Sequence, residues 1–254
     1  MKVSQKPKEI AVVVGATGAM GAVISRRLAA EGLTVLAVAR KADALASLVA
    51  TTPGVVPCVA DISNDSSIDA IKAALDAPVR MVVHGPGVAT AGGVLVAPTA
   101  AVVDAVNIKV GGMIRLVRAV DEKLVRGSRL VAIGGHYGSE PNPWAATAGV
   151  GNAALTNLMR QYSWAYGARG VTAHVVQPGP ADTDRLRRIA ADRAARGGIT
   201  LEAALDEYRA ESTLGALTTP EQVAWGISLL LAPEADALAG STLFMDAGRR
   251  KGMA

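Results

Sequence analysis

The chain has 254 residues and a formal net charge of +4, and half of its residues are hydrophobic although only 3% are aromatic. A chain of this length can bury a sizeable core of Ala, Val and Leu without a metal, and its one cysteine, Cys58, excludes an internal disulfide. Lysines and arginines are interspersed with acidic residues, so binding to nucleic acid is not expected. No apolar run could span a membrane and residues 1–9 are polar, which predicts a flexible N-terminal tail on a soluble, cytoplasmic protein without a membrane partner.

Short apolar runs typical of buried strands alternate with segments of helical periodicity. The predicted strands cover residues 12–14, 33–39, 55–60, 79–83, 129–133, 171–176 and 241–245. The predicted helices cover residues 22–30, 41–50, 66–75, 98–125, 145–166 and 220–231, with a polar helical region at 184–212. Such alternation predicts parallel strands joined by right-handed crossovers, with helices on both faces of the sheet. We therefore expect one α/β domain over residues 10–250, a Rossmann-type doubly wound parallel sheet of about seven strands.

The first predicted strand runs into a turn with glycines three residues apart, and a helix follows. Glycines allow the chain to turn sharply and allow a pyrophosphate to approach the first N–H groups of the helix, where the dipole favours an anion. A tight turn without a ligand is the alternative. The residues predicted to contact a nucleotide here are Gly15, Thr17, Gly18, Ala19, Met20 and Gly21.

The ends of the second and third predicted strands indicate which dinucleotide is preferred. The second strand ends in Ala39 and is followed by Arg40 and Lys41, where a carboxylate would hold the ribose hydroxyls of NAD. Cations suit the 2′-phosphate instead, so we expect NADP(H) rather than NAD(H). Asp61 follows the third strand, where it could accept a hydrogen bond from adenine or cap the next helix.

Taken together, these residues resemble the short-chain dehydrogenase/reductase family over about residues 9–248. The resemblance implies a nicotinamide cofactor and an oxidoreductase activity on a small organic substrate. It also implies an adenine contact after the third strand, a turn after the fourth strand, a helix asparagine and a Pro-Gly…Thr segment along the nicotinamide. The matching residues are Asp61, Ile62, Gly85 within His84–Gly87, Asn107, Pro178, Gly179 and Thr183, with 244–248 as the closing strand.

The catalytic residues that the resemblance implies are missing. The family uses a serine, a tyrosine and a lysine, and the tyrosine and lysine lie four residues apart on one helix face. In the best register, Gly135 stands at the serine, Ala148 at the tyrosine and Asn152 at the lysine. Asn152 could still bind a ribose hydroxyl, but it carries no charge that would lower the pKa of a neighbouring group.

Other side chains at the strand ends could supply the proton. His136 and Tyr137 directly follow the lost serine position, and Asn107 could hold a water; a merely local packing role is the alternative for His136 and Tyr137. A local packing role is expected for His84, and a structural role within a strand is expected for His174. Three dispersed histidines predict no metal site.

Two functions remain open from the sequence. The first is an NADP(H)-dependent oxidoreductase with a non-standard proton transfer, and region 184–212 lies where the family resemblance implies a substrate lid. Its arginines would suit an anionic substrate such as a carboxylate or a coenzyme A thioester, but a solvated helix with mixed charges explains the same residues and is preferred. The second is a catalytically degenerate subunit that binds nucleotide or nothing and supports an active relative. Family members usually pair through two long helices, here about 98–125 and 145–166, so we expect a homo-oligomer (dimer or tetramer) or a hetero-oligomer with an active relative.

Overall fold

Seven parallel strands form one sheet in the order β3-β2-β1-β4-β5-β6-β7, as seen in a computed structural model that describes residues 8–89 and 92–252. The strands are β1 (Ile10–Val14), β2 (Thr34–Ala39), β3 (Val55–Val59), β4 (Val79–His84), β5 (Leu124–Ile133), β6 (Thr172–Pro178) and β7 (Thr242–Met245). The central strands are buried on both faces, which explains their continuous apolar sequence. The predicted single-domain α/β fold is confirmed.

Helices cover both faces of the sheet. They are α1 (Ala19–Ala30), α2 (Ala42–Thr51), α3 (Ser66–Ala73), α4 (Thr99–Val106), α5 (Gly112–Val120), α6 (Ala146–Tyr166), α7 (Asp184–Gly197), α8 (Leu201–Ala210) and α9 (Pro220–Leu229). Successive strand residues point to opposite faces, so Val12 joins the core under α3, α5 and α6, whereas Val13 joins the core under α1, α2 and α9.

The single helix predicted over residues 98–125 is wrong in its middle and at its end. A π-helical turn at Asn107–Gly111 separates α4 from α5. The ring of His84 lies against this turn: its Nε2 donates to the carbonyl of Ile108 at 3.1 Å, and a Cβ on Gly112 would lie 2.8 Å from its Cε1. Helix α5 ends at Val120, and β5 begins at Leu124 rather than at residue 129. The wide turn thus depends on a long-range contact that local periodicity does not report.

The ends of the predicted domain and its polar region can be compared only in part. Of the tail predicted at 1–9, residues 1–7 lie outside the described residues; the Lys8 ammonium lies 2.5 Å from a carboxylate oxygen of Asp76, and the Glu9 carbonyl accepts from the amide of Thr34. The region predicted at 184–212 forms α7 and α8. None of the helices in residues 8–89 and 92–252 combines the length and apolarity needed to cross a bilayer.

Replacing Gly21 by alanine tests the packing of α1 on the turn after β1. A Cβ at this position would overlap the carbonyl oxygen of Gly15, which is backbone and cannot rotate away. We expect Gly21→Ala to lower the free energy of unfolding by about 1–3 kcal/mol in urea denaturation. Gly167→Ala is the control, because no atom lies within 4 Å of its Cβ position and its φ is −54°. Equal stability of the two variants would contradict this packing.

Candidate active site

The turn after β1 has the shape of an anion-binding loop. Gly15 leaves the sheet by donating its N–H to Val38 at 2.9 Å, and its φ of +79° and a Cβ position 3.3 Å from Pro86 N both require glycine. The amide of Gly18 donates back to Gly15 at 3.0 Å, and α1 begins at Ala19 without a side-chain cap. The first N–H groups of α1 therefore have no intrahelical acceptor and face an exposed turn.

The other residues predicted to contact a nucleotide in this turn differ in their exposure and packing. Thr17 is partly exposed beside Gly18, and Met20 packs against the core under α1. Gly21 is buried against Gly15. The structure thus leaves Thr17, Gly18 and Ala19 accessible to a ligand, whereas Gly21 serves the close approach of helix and turn.

Arg40 and Asp61 follow the neighbouring strands β2 and β3. The pKa of Asp61 is lowered, first by the hydrogen bond from the Ser63 amide, then by that from the Ser63 hydroxyl, and further by the charges of Arg40 and Arg115. Helix α3 begins only at Ser66, so Asp61 closes a turn and does not cap the helix. The exposed guanidinium of Arg40 is thus within electrostatic reach of an ionised carboxylate.

Ile62 and Asn107 were predicted to lie near the adenine and near the reacting atoms, and both make their contacts within the protein. Ile62 is 6% exposed and lies under the π-helical turn, with Cγ1 3.2 Å from the Cβ position of Gly112. The amide of Asn107 donates to the Ser63 carbonyl at 3.2 Å and accepts from Arg115 at 3.0 Å. The structure therefore places Asn107 against the loop before α3, and the prediction that it holds a catalytic water is not supported by its geometry.

The turn after β4 joins β1. Gly85 donates its N–H to the carbonyl of Val14 at 3.0 Å, and a Cβ there would lie 3.1 Å from the same oxygen. His84 is completely buried; burial, followed by the charge of Lys109, lowers its pKa to about 3. A histidine that stays neutral in this way and holds the π-helical turn has the structural role expected of it.

Sequence reasoning missed Lys109. Its side chain is only 4% exposed, and Nζ donates to the carbonyl of Ile133, the last residue of β5, at 2.9 Å. Burial, followed by the charge of Arg185, lowers its pKa to about 8. The available signal was the pair Gly111–Gly112 in the middle of a predicted helix, where glycine is unfavourable.

Asn152 fills the space above Gly135. A Cβ on Gly135 would lie 2.8 Å from Asn152 Nδ2, and a Cβ on Gly138 would lie 2.8 Å from Asn152 Cβ. Asn152 is 5% exposed, and its Oδ1 has no hydrogen-bond partner among the described residues. Ala148 lies one turn earlier on α6 and is partly exposed. An unpaired buried amide beside two glycines is a site for a hydrogen-bonding ligand.

His136 and Tyr137 lie side by side directly after β5. Their rings meet edge to face with centroids 5.6 Å apart, and both side chains are partly exposed. Burial lowers the pKa of His136, and the charge of Arg249 lowers it further; Arg249 is itself buried and paired with Glu211. The carbonyl of Tyr137 lies 3.5 Å from the Cβ position of Gly149, the neighbour of Ala148. The structure thus brings both predicted residues to the α6 side of the cleft.

Pro178, at the end of β6, and the residues after it pack against the end of β7. Pro178 is buried, and Gly179 donates to the carbonyl of Met245 at 3.1 Å, with a Cβ position 3.0 Å from Asp246 Cα. The hydroxyl of Thr183 accepts the amide of Leu186 at 3.3 Å, so it caps α7. The turns that carry the residues predicted to bind the cofactor thus follow the carboxyl ends of the strands, although Met20, Gly21 and Ile62 pack within the protein.

This sheet order, with a glycine turn after β1 and polar groups after β5 and β6, defines an α/β protein of the Rossmann type whose site lies at the carboxyl ends of the strands. A family model described as enoyl-(acyl carrier protein) reductase matches residues 15–250. The chain belongs to the short-chain dehydrogenase/reductase family of oxidoreductases.

Individual relatives are distant but match over nearly their full length. The chain is 27% identical over 247 residues to the 3-oxoacyl-(acyl-carrier-protein) reductase FabG of Escherichia coli (strain K12), covering 94% of this chain and 96% of that one. It is 25% identical over 251 residues to a monensin polyketide synthase putative ketoacyl reductase of Streptomyces virginiae, with 94% and 96% covered. The L-sorbose reductase of Gluconobacter frateurii, solved with NADPH and L-sorbose, shares the fold with a TM-score of 0.88 at 19% identity, covering 97% of this chain and 98% of that one.

The buried His84 predicts a loss of stability in acid. Its pKa is about 3 in the folded protein and 6.5 in an ordinary setting, so the unfolded chain binds more protons between these values. Stability should therefore fall as pH drops below about 6.5, by on the order of 1 kcal/mol per pH unit. We expect His84→Gln to show a weaker pH dependence than the wild type in urea unfolding at about pH 7 and pH 4. Parallel pH dependences would contradict this assignment.

Proposed function

We propose that the protein is an NADP(H)-dependent oxidoreductase that acts on a small organic substrate. The observation that carries this proposal is the exposed, uncapped start of α1 behind Gly15, with Arg40 and Asp61 at the neighbouring strand ends. An uncapped helix start suits a pyrophosphate, and an exposed arginine after β2 suits a 2′-phosphate. That the L-sorbose reductase of the same fold was solved with NADPH supports the choice of cofactor.

The residues present fit such a dinucleotide. Gly15 and Gly18 keep the turn tight, because a Cβ on either would lie 3.3 Å from neighbouring backbone, and the unpaired Oδ1 of Asn152 could accept a hydrogen bond from a ribose hydroxyl. Pro178 and Gly179 would flank the nicotinamide. When bound, the reduced cofactor supplies the hydride; orientation and proton supply fall to the protein.

The preference for NADP(H) can be measured by titrating the purified protein with NADPH and NADH and following cofactor fluorescence. We expect NADPH to bind more tightly, and Arg40→Ala to lose about tenfold or more in NADPH affinity while NADH binding changes little, because only one ligand carries the 2′-phosphate.

Arg26→Ala is the matched control, since Arg26 is an exposed arginine on α1 and its removal changes the net charge equally. An equal loss in both variants would indicate a general charge effect, and no binding of either nucleotide would contradict the proposed function.

A side chain other than the family's tyrosine must then donate a proton to the reacting oxygen or accept one from it. Ala148 has no proton to give and Asn152 has no charge, whereas Tyr137 carries a phenol and its backbone lies beside α6 at Gly149, next to Ala148. The ring of His136 meets that of Tyr137 edge to face, and burial lowers the pKa of His136, so the imidazole is neutral at pH 7 and can accept a proton. We assign the proton transfer to Tyr137, with His136 as the neighbouring base.

Turnover of carbonyl compounds with NADPH tests this assignment. Tyr137→Phe removes only the hydroxyl and should lower kcat about 100-fold or more, and His136→Ala should lower it as well, with NADPH affinity retained in both. Tyr162→Phe, farther along α6, is the control and should keep full activity. Unchanged turnover in both active-site variants would refute their role.

A second candidate function is that of a degenerate subunit in a larger assembly. The observation that favours it is the exposure of large apolar side chains on α4 and α6, which pack together through Ala105 and Gly151. Val103 is 68% exposed, Val150 50% and Trp164 85%. We propose that these helices form the oligomer interface. A light-scattering mass of two or four chains together with turnover favours the homomeric enzyme; an inactive preparation that gains mass with an active relative favours the subunit.

A further inference from the structure

Lys109 lies on the π-helical turn, and its side chain extends to the carboxyl end of β5. Its stem runs along α6, where a Cβ on Gly151 would lie 3.5 Å from its Cγ. The ammonium donates to Ile133, so it lies next to Gly134 and Gly135. The stem of Lys109 therefore passes the Gly151 position of α6 at van der Waals distance.

The ammonium of Lys109 is poorly compensated. It has three N–H donors, and only the one directed at Ile133 has an acceptor within residues 8–89 and 92–252. No carboxylate of those residues lies within ion-pair distance, and the nearest charge that acts on it is the like charge of Arg185. A buried cation without a partner is costly, so a bound anion would relieve a penalty that the fold now bears.

Arg185 lies at the start of α7 and contacts the turn after β4, the strand that pairs with β5. Its Nη2 donates to the carbonyl of Val88 at 2.6 Å, and its Nη1 lies 2.5 Å from the Cβ position of Gly87. The next arginine, Arg187, is paired with Asp182 at 2.8 Å, whereas Arg185 has no acidic partner in the described part of the chain. Lys109 and Arg185 are therefore two cations near the ends of β5 and β4, and neither has an anionic partner among the described residues.

We propose that Lys109 and Arg185 form an anion-binding subsite that takes the carboxylate of a small organic acid. The proposal deepens the proposed function and rests on it for the statement that the anion belongs to the substrate. A phosphate of the cofactor has the same chemistry, but its place is the start of α1, after β1. Strand β4 separates β1 from β5, which puts the two positions about 10 Å apart.

The binding of propionate, compared with its neutral isostere propionamide, tests the subsite without any turnover. We expect propionate to raise the melting temperature of the wild type and propionamide to have no such effect. Calorimetry should give an affinity for propionate that is weaker by about tenfold or more in Lys109→Met, and weaker in Arg185→Met. Lys123→Met and Arg188→Met remove the same charge elsewhere and should bind like the wild type. Equal binding by Lys109→Met and the wild type would overturn the proposal.

The stability of the unliganded protein separates a binding role from a structural one. Because Lys109 is an unpaired buried cation, Lys109→Met should keep or raise the melting temperature without propionate. A lower melting temperature with the propionate effect intact would mean that the hydrogen bond to Ile133 serves folding alone, and would overturn the proposal.

The wild type gives an independent check by its pH dependence. Lys109 faces the guanidinium of Arg185 from α7 and the imidazole of His84 from β4, and burial lowers the pKa of His84 to about 3, so that imidazole stays neutral between pH 7 and 9. The Lys109 pKa of about 8 predicts that propionate affinity falls as pH rises through that value. A constant affinity over this range would contradict the role of Lys109.

Titration with NADPH distinguishes the two sources of the anion. We expect propionate and NADPH to bind together, and Lys109→Met to bind NADPH like the wild type within about threefold. Displacement of propionate by NADPH would assign the subsite to a cofactor phosphate and overturn the substrate assignment. Propionate binding without any NADPH binding would contradict the proposed function while leaving the anion subsite in place.

Discussion

The hydrogen bonds by which the central strands leave the sheet fix the geometry of the whole site. Each turn begins with a glycine whose N–H donates to a residue near the end of the neighbouring strand. The bonds join Gly15 to Val38, Gly85 to Val14 and Gly134 to Val176. Because the strands are parallel, these exits lie along one edge, and the side chains that follow converge there. The remaining polar groups of the cleft are placed by this row of exits.

The fold could be predicted, and the turn proposed to bind the nucleotide could be located, because local sequence encodes both. Buried parallel strands are continuous apolar runs, and glycines mark the places where the backbone needs room. The helix predicted over 98–125 failed because its π-helical turn depends on His84, which lies 24 residues from Ile108 along the chain. Helical periodicity assumes a constant number of residues per turn and carries no trace of such a contact.

The position of Lys109 could not be predicted for the same reason. His136 and Tyr137 lie two glycines after the end of β5, so their place at this edge of the sheet could be predicted from the sequence. Lys109 lies on the π-helical turn and its ammonium donates to Ile133, a contact that helical periodicity does not encode. Asn107 was assigned from the resemblance of its segment to the family, and its amide is held by Ser63 and Arg115. The resemblance identifies a position along the helix but carries no information about the groups that face it in this chain.

The contact between Asn152 and Gly135 has a consequence for any attempt to redesign this site. A Cβ at 135 would lie 2.8 Å from Nδ2 of Asn152, the far end of a side chain that can rotate, so a larger residue fits at 135 only if the amide of Asn152 turns aside. The unpaired Oδ1 of the same amide would then move as well. The two positions are therefore coupled by packing, and a change at residue 135 alters the direction in which residue 152 presents its hydrogen-bonding groups.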